Sequence, residues 1–295
     1  GYDHRFSAGI TAASSTIGPV IPPSIPFVVF SSCTSVSVSK LFAAGFIPGA
    51  MMALAMAACV YVISKRKNFP IAPKMPWGMR IKCFWSAIPS LMTIVIIIGG
   101  IWGGFFTATE AAIVASFYAL FLSGVVYRQL TVKKLFTIIY DSLITSCKTL
   151  FIIAIANFLA YFMTHQRIPN QIIESLMGIT SNPQILILLI IFILIVLGMF
   201  LEGTAVILIV TPIFLPIIDA IGMNYVQFGV IMILASMIGL LTPPVGMSLY
   251  AVSSVTKVSL LELSKEVLPY VIGIFAVLLL CAYWPPFSCW LPSFI

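Results

Sequence analysis

Long apolar runs separated by short polar stretches set the pattern of this chain, and most can cross a bilayer at 1.5 Å per helical residue. The first, about Phe6 to Phe30, is interrupted at Gly18 and at Pro22-Pro23, and a Ser/Thr-rich linker from Ser31 to Ser39 follows. The stretch from about Ala43 to Ile63 predicts a spanning helix. Another runs outward from about Trp85 to Trp102, pauses at Gly103-Gly104-Phe105-Phe106-Thr107, and returns from about Glu110 to Val126. A long helix is expected from about Leu135 to Met163, leading to His165, Arg167 and a polar connection with Pro169, Asn182 and Pro183.

Ile185 to Gly198 is continuously aliphatic, and a second apolar run from Ala205 ends near Pro212, Pro216 and Asp219. Each half, at about 14 residues, falls short of the ~20 that a span needs. This predicts a re-entrant hairpin with Glu202 and Gly203 at its buried tip, two tilted helices or one bent pair being the alternative. A second interrupted helix is expected from about Val226 to Val255, and a last span from about Val267 to Tyr283. The aromatic tail from Trp284 to Ile295 then belongs at the outer interface.

The interruptions are the chemistry-bearing feature. Ile17-Gly18-Pro19-Val20-Ile21-Pro22-Pro23-Ser24 and Ile238-Gly239-Leu240-Leu241-Thr242-Pro243-Pro244-Val245-Gly246 both place Gly shortly before Pro-Pro inside an apolar run. Proline removes a backbone donor, clashes with the preceding turn, and biases the residue before it away from helical angles. Backbone groups freed in lipid must be satisfied by protein, water or a bound ion. One such break in each half of a membrane protein is the pattern of an ion and substrate site.

A shift of 221 positions relates the halves. It aligns Ser15 with Ser236, Ile17 with Ile238, Gly18 with Gly239, Pro22-Pro23 with Pro243-Pro244, Ser32 with Ser253, and Pro48 with Pro269. Charge then orients them. Lys65, Arg66, Lys67, Lys74, Arg80 and Lys82 hold six of the fifteen basic residues with no acid between them, which places that loop in the cytoplasm. Pro70, Pro73, Pro76 and Trp77 are expected to lie along the interface there. Arg128, Lys133 and Lys134 return the chain to the cytoplasm, as do Lys257 and Lys265, whereas Lys40 is an exception on the outer side. The first unit's last span therefore ends inside and the second unit's ends outside, so the repeats are inverted. The reading is an all-α polytopic membrane protein with a first repeat over 1–64, a basic loop and connecting helices over 65–182, and a second repeat over 183–295.

Composition agrees. Hydrophobic residues are 61% of the 295 and charged residues 8%, against about 25% charged in a soluble domain. Mean hydropathy is +1.16. The net charge of +7 lies in loops, which argues for the positive-inside pattern and against nucleic acid. The six cysteines form no CxxC or CxxxC pair, which favours packing over a metal site or disulfide frame. The chain opens Gly1-Tyr2-Asp3 without methionine, as expected of a fragment or a processed product.

Three spaced motifs carry a family resemblance: Ile21-Pro22-Pro23-Ser24-Ile25-Pro26-Phe27, Thr107-Ala108-Thr109-Glu110-Ala111-Ala112, and Gly239-Leu240-Leu241-Thr242-Pro243-Pro244-Val245-Gly246. With them the whole chain resembles the large membrane subunit of tripartite ATP-independent periplasmic (TRAP) transporters, with Ala108 where the family has Pro. The resemblance implies an elevator-type carrier in the bacterial inner membrane that takes up organic acids with Na+ as coupling ion and no other cofactor. It implies a small membrane subunit and a periplasmic substrate-binding protein as partners. Of the site residues, it implies Gly18, Ile21 and Pro22 as the unwound-helix half of one sodium site. Gly198, Glu202 and Gly203 at the second hairpin's tip, with Thr242 and Val245 on its unwound partner, would form the other. The family's first hairpin lies upstream of Gly1, so the first site and any transport by the chain alone are expected to be incomplete.

Residue chemistry bears on rival readings. Glu202, the only acid inside an aliphatic stretch, is a functional candidate by default, or else a hairpin-tip carboxylate facing a water-filled cavity or capping a helix. Thr242 offers a hydroxyl oxygen to an ion or makes a local backbone bond. Thr107 to Glu110 reads as a helix start, and Lys148 as a side chain snorkelling to the cytoplasm. His4 and His165 carry no metal-ligand spacing. An intramembrane enzyme would need HExxH, a serine with a base, or paired intramembrane aspartates. Only Lys148 with Ser142 or Ser146 could form a dyad. That enzyme, a channel, and another elevator-type sodium or anion carrier are the alternatives.

Overall fold

The computed structural model describes residues 2–70, 75–166, 171, 178, 180 and 182–295. Pro73, Lys74, Arg167 and Pro169 lie outside them. Described residues outside loops are helical, and seven helices are long and apolar enough to cross a membrane. The chain divides into two compact units, Gly1–Pro70 with Ile153–Ile295, and Ile71–Ile152.

The first unit opens with α1 (His4–Ser15), the break, and α2 (Ile25–Thr34), which Ser24 caps by accepting from the Phe27 amide. Then α3 runs Val38–Arg66 through Pro48. In the second unit, α4 runs Trp77–Trp102 and α5 Ala108–Phe121, continued by a π-helical turn at Leu122–Val126. Helix α6 spans Val132–His165. Back in the first unit come α7 (Pro183–Phe200), α8 (Gly203–Ala220), α9 (Tyr225–Leu240), α10 (Met247–Thr256), α11 (Leu260–Tyr283) and α12 (Pro286–Cys289).

Two sequence expectations change. Trp77 starts α4 directly after Pro76, so Arg80 and Lys82, read from the sequence as part of a loop, sit on a helix. Pro76 supplies the extended residue at the N-cap, and no proline follows before Pro89. The arms of the hairpin are also longer than expected, at 18 residues each, or about 27 Å at 1.5 Å per residue. Asn182 caps α7 by accepting from the Gln184 amide, and Pro183 occupies the first turn, where its missing N–H costs nothing. Length therefore does not set these arms apart from spanning helices. The two-residue joint at Leu201-Glu202 does make them a hairpin.

Helix α9 is the core of the first unit, with every residue from Val226 to Gly239 buried. A helix apolar on all sides belongs inside protein. Its one amide, Gln227, donates to the carbonyls of Cys281 (2.9 Å) and Ala282 (3.0 Å), which satisfies the end of α11. The cysteines form no disulfide. On the tail, burial pushes the Cys289 thiol up, against bonds to Ser288 and Gln227 that lower it.

The repeat is legible in side-chain detail. Ser31 Oγ donates to the Val36 carbonyl (2.5 Å) and Ser253 Oγ to the Val258 carbonyl (2.7 Å), each around a left-handed residue, Ser35 at φ 56° and Lys257 at φ 60°. Ser37 and Ser259 then occupy the N-caps of α3 and α11. These pairs are 222 apart, not 221. Ser253 is therefore the counterpart of Ser31 rather than Ser32, and Pro48 and Pro269 fall one residue out of step. The extra residue enters between Pro244 and α10, where Gly246 adopts φ +54°.

Helices α3 and α11 run antiparallel. Cys59 Sγ donates to the Pro269 carbonyl (3.6 Å), and one turn away a Cβ on Gly273 would lie 3.3 Å from that of Ala55. Their charged ends meet: Lys67 lies 3.5 Å from Glu266 and 4.0 Å from Asp3, and Arg5 lies 3.0 Å from Glu262. His4 Nε2 reaches the Thr256 carbonyl at 2.9 Å. The end of one repeat's last helix thus meets the start of the other's, as inversion requires. All these groups are partly exposed, so each pair stabilises only slightly.

Candidate functional site

Helix α9 stops at Leu240 because Pro243 and Pro244 cannot donate, and Thr242 makes the last turn by donating its amide to Gly239 (2.9 Å). Helix α10 starts only at Met247. Among the described residues, the carbonyls of Leu241, Thr242, Pro243, Pro244 and Val245 accept no backbone hydrogen bond. Five oxygens are thus left for water, an ion or a partner.

The hairpin tip closes over this break. The Gly246 amide donates to the Met199 carbonyl at 3.2 Å, bridging the break and the end of α7. Below that bond, Gly198 lies on α9 so closely that a Cβ on Gly239 would stand 2.5 Å from the Gly198 carbonyl carbon. Gly203 faces the flexible end of Met237, an added Cβ lying 3.2 Å from its Cε. Small residues let the two backbones approach.

Of the five residues expected at this site, Gly198 and Gly203 lie against α9 one turn before the break, and Thr242 and Val245 belong to the break itself, which the Gly246 amide ties to the hairpin. The Thr242 hydroxyl donates to the Ile238 carbonyl (2.7 Å), the local bond foreseen as an alternative to ion ligation, and its oxygen keeps acceptor capacity. Glu202, the fifth, caps α8. Its carboxylate accepts from the Thr204 amide (3.0 Å), the Thr204 hydroxyl (2.9 Å) and the Ala205 amide (3.3 Å). Glu110 caps α5 likewise through a reciprocal box with Thr107.

The first break has the same backbone plan. Both Pro22-Pro23 and Pro243-Pro244 are cis. The carbonyls of Gly18, Val20, Ile21 and Pro22 accept no backbone hydrogen bond among the described residues, while Ser24 Oγ donates to Pro19. Its cover differs. Val20 O and the Phe27 ring crowd against Gly45 of α3, and Ile21 fills the space beside Gly49. Sequence reasoning passed over this seat, although Gly45 and Gly49 stand at the four-residue spacing of a helix-packing motif. Ser15 and Gly18, the counterparts of Ser236 and Gly239, are exposed where the latter are buried.

Lys148 is exposed, and no three His, Cys, Asp or Glu side chains gather as a metal site among the described residues.

Two helices broken at Pro-Pro in an inverted repeat, one of them clasped by a helical hairpin, are the arrangement of a membrane transporter core. The family model for the DctM component of the tripartite ATP-independent periplasmic transporter matches residues 1–287. The chain is 39% identical to the sialic acid TRAP transporter large permease protein of Vibrio cholerae, over 99% of this chain and 68% of that protein. It is 35% identical to the C4-dicarboxylate large permease of the same organism, over 100% and 70%. It is also 35% identical to the 2,3-diketo-L-gulonate large permease of Escherichia coli, over 96% and 67%. The chain belongs to the DctM family of TRAP transporter large permeases, multi-pass proteins of the bacterial inner membrane.

Proposed function

We propose that this chain forms the carrier core for sodium-driven uptake of a small organic acid, with Gly198, Gly203, Thr242 and Val245 framing one ion site. The observation that carries this reading is the clasped second break: five carbonyl oxygens without backbone donors, beside one threonine hydroxyl, held against a hairpin tip. A small hard cation takes oxygen ligands, and unwound backbone supplies them without a full negative charge. The named substrates of the relatives, sialic acid, C4-dicarboxylates and 2,3-diketo-L-gulonate, share an acidic group, which helix N-termini after such breaks attract. A small membrane subunit and a periplasmic binding protein complete the proposed system.

The first break supports a second, dependent inference. Its carbonyls are as free as those of the second, yet nothing among the described residues lies on Ser15 and Gly18 where α7 lies on Ser236 and Gly239. We infer that a further hairpin must cover them before the first ion site forms, so this chain alone does not transport. The test is uptake into proteoliposomes containing the complete three-part transporter, with sodium replaced by potassium, against vesicles holding this chain alone. Equal uptake in both salts would defeat the sodium reading, and sodium-driven uptake by the chain alone would defeat the second inference.

A further inference from the structure

Most basic residues of both units are exposed without an ion pair among the described residues, Lys40, Lys65, Arg66, Lys257 and Lys265 of the first unit included. In the first unit, Arg5 and Lys67 reach Glu262, Asp3 and Glu266. In the second, Arg80, Lys82, Arg128, Lys133 and Lys134 are all exposed, and none has an ion pair among the described residues.

These five belong to one end of the second unit. Helices α4 and α5 are joined by the short turn 103–107, where Phe106 packs against Gly100. They still touch far from it, the Tyr118 hydroxyl donating to the Pro89 carbonyl (2.8 Å) and the Ser90 and Tyr127 hydroxyls lying 3.1 Å apart, so they run antiparallel. The start of α4 is therefore at the same end as the exit from the π-helical turn at Arg128, with Arg80 ten residues, about 15 Å along the helix, beyond Ser90. Lys134 Nζ donates to the Gln129 carbonyl (3.4 Å), which keeps the start of α6 at that end. The acids of the unit stand elsewhere. Glu110 caps the opposite end of α5, and Asp141 lies seven residues beyond Lys134, about 10 Å along α6.

Helix polarity sharpens the imbalance. The first turns of α4 and α6 hold no acid, although the positive end of a helix favours anions and disfavours cations. Lys133 and Lys134 sit in such a turn, and Arg80 and Lys82 follow closely in the other. Trp77, 75% exposed, stacks under Arg80 with 5.2 Å from guanidinium to ring, and Trp85 is 67% exposed. Indole rings beside basic side chains at the end of a spanning helix are the composition of a headgroup layer.

We propose that this rim is a docking surface for the headgroups of anionic phospholipids, with phosphate as the recognised group. No ion pair meets these side chains among the described residues, the rim lies where headgroups are, and the exposed indoles fix its depth. Each basic residue near an anionic surface contributes roughly fivefold in affinity.

The test uses the full chain, purified in detergent and stripped of lipid, then titrated with equimolar phosphatidylglycerol and phosphatidylcholine and read by native mass spectrometry. Bound phosphatidylglycerol should exceed phosphatidylcholine at least fivefold at low salt, and the ratio should fall as salt rises. In R128Q/K133Q/K134Q, and separately in R80Q/K82Q, it should fall toward one, while K67Q should keep it because Lys67 is already paired. Inorganic phosphate at millimolar concentration should not displace the lipid. A wild-type ratio near one, a ratio unmoved by both variants, or full displacement by inorganic phosphate would overturn the proposal. The wild-type salt titration decides even if a variant does not fold.

Discussion

Gly198 and Gly239 meet backbone to backbone, so closely that a single added methyl group on Gly239 would overlap the Gly198 carbonyl carbon at 2.5 Å. Packed helices relieve an overlap with backbone only by moving apart, and overpacking of this kind costs about 1–3 kcal/mol. Gly239→Ala should therefore lower the thermal unfolding midpoint of the purified protein. Gly18→Ala, at the corresponding position, meets among the described residues only its own Ser15 carbonyl at 3.7 Å and should shift it by much less. Equal destabilisation by the two would contradict the difference in cover.

Thr242 tests the ion site. Its hydroxyl makes one local bond as donor, so Thr242→Ala removes an oxygen without opening the core. In the complete transporter, Thr242→Ala should shift sodium activation of uptake to higher concentration, and Thr242→Ser should restore it. An unchanged activation curve for Thr242→Ala would remove the hydroxyl from the site.

Glu202 separates capping from ligation. Three hydrogen bonds bind its carboxylate to the first turn of α8. Glu202→Ala should cost about 1 kcal/mol of stability as a lost N-cap, and Glu202→Asp should keep most of it. If instead Glu202→Ala leaves stability unchanged and abolishes sodium activation, the carboxylate is an ion ligand.

The antiparallel pairing of α3 and α11 predicts a cross-link. A Cβ on Gly273 would stand 3.3 Å from the Ala55 Cβ, close to the 3.5–4.5 Å of disulfides. In a background without the native cysteines, Ala55→Cys with Gly273→Cys should form an intramolecular disulfide on mild oxidation. Ala55→Cys with Ile272→Cys should not, since Ile272 is 62% exposed on another face. Reversed yields would exclude this register.

The sequence by itself determined the spans, the two breaks and their inverted orientation. Those follow from backbone chemistry and charge, which act locally: Pro-Pro stops a helix wherever it stands, and lysines stay out of lipid. It also placed Thr107-Glu110 at a helix start, because caps are read from neighbouring residues, and left Glu202 open between a cap and a functional acid. Only the tertiary structure decided which residues cover each break. That Gly198 lies on Gly239, that Gly49 receives Ile21, and that Gly18 lies open depends on how distant helices cross; the Gly45 and Gly49 spacing marks a close-packing face but not what packs there. The same limit explains the repeat register. Identical residues favoured 221, whereas the hydrogen-bonded turns at Ser31 and Ser253 show 222, because Gly246 takes up one residue in a left-handed step that apolar matching does not register.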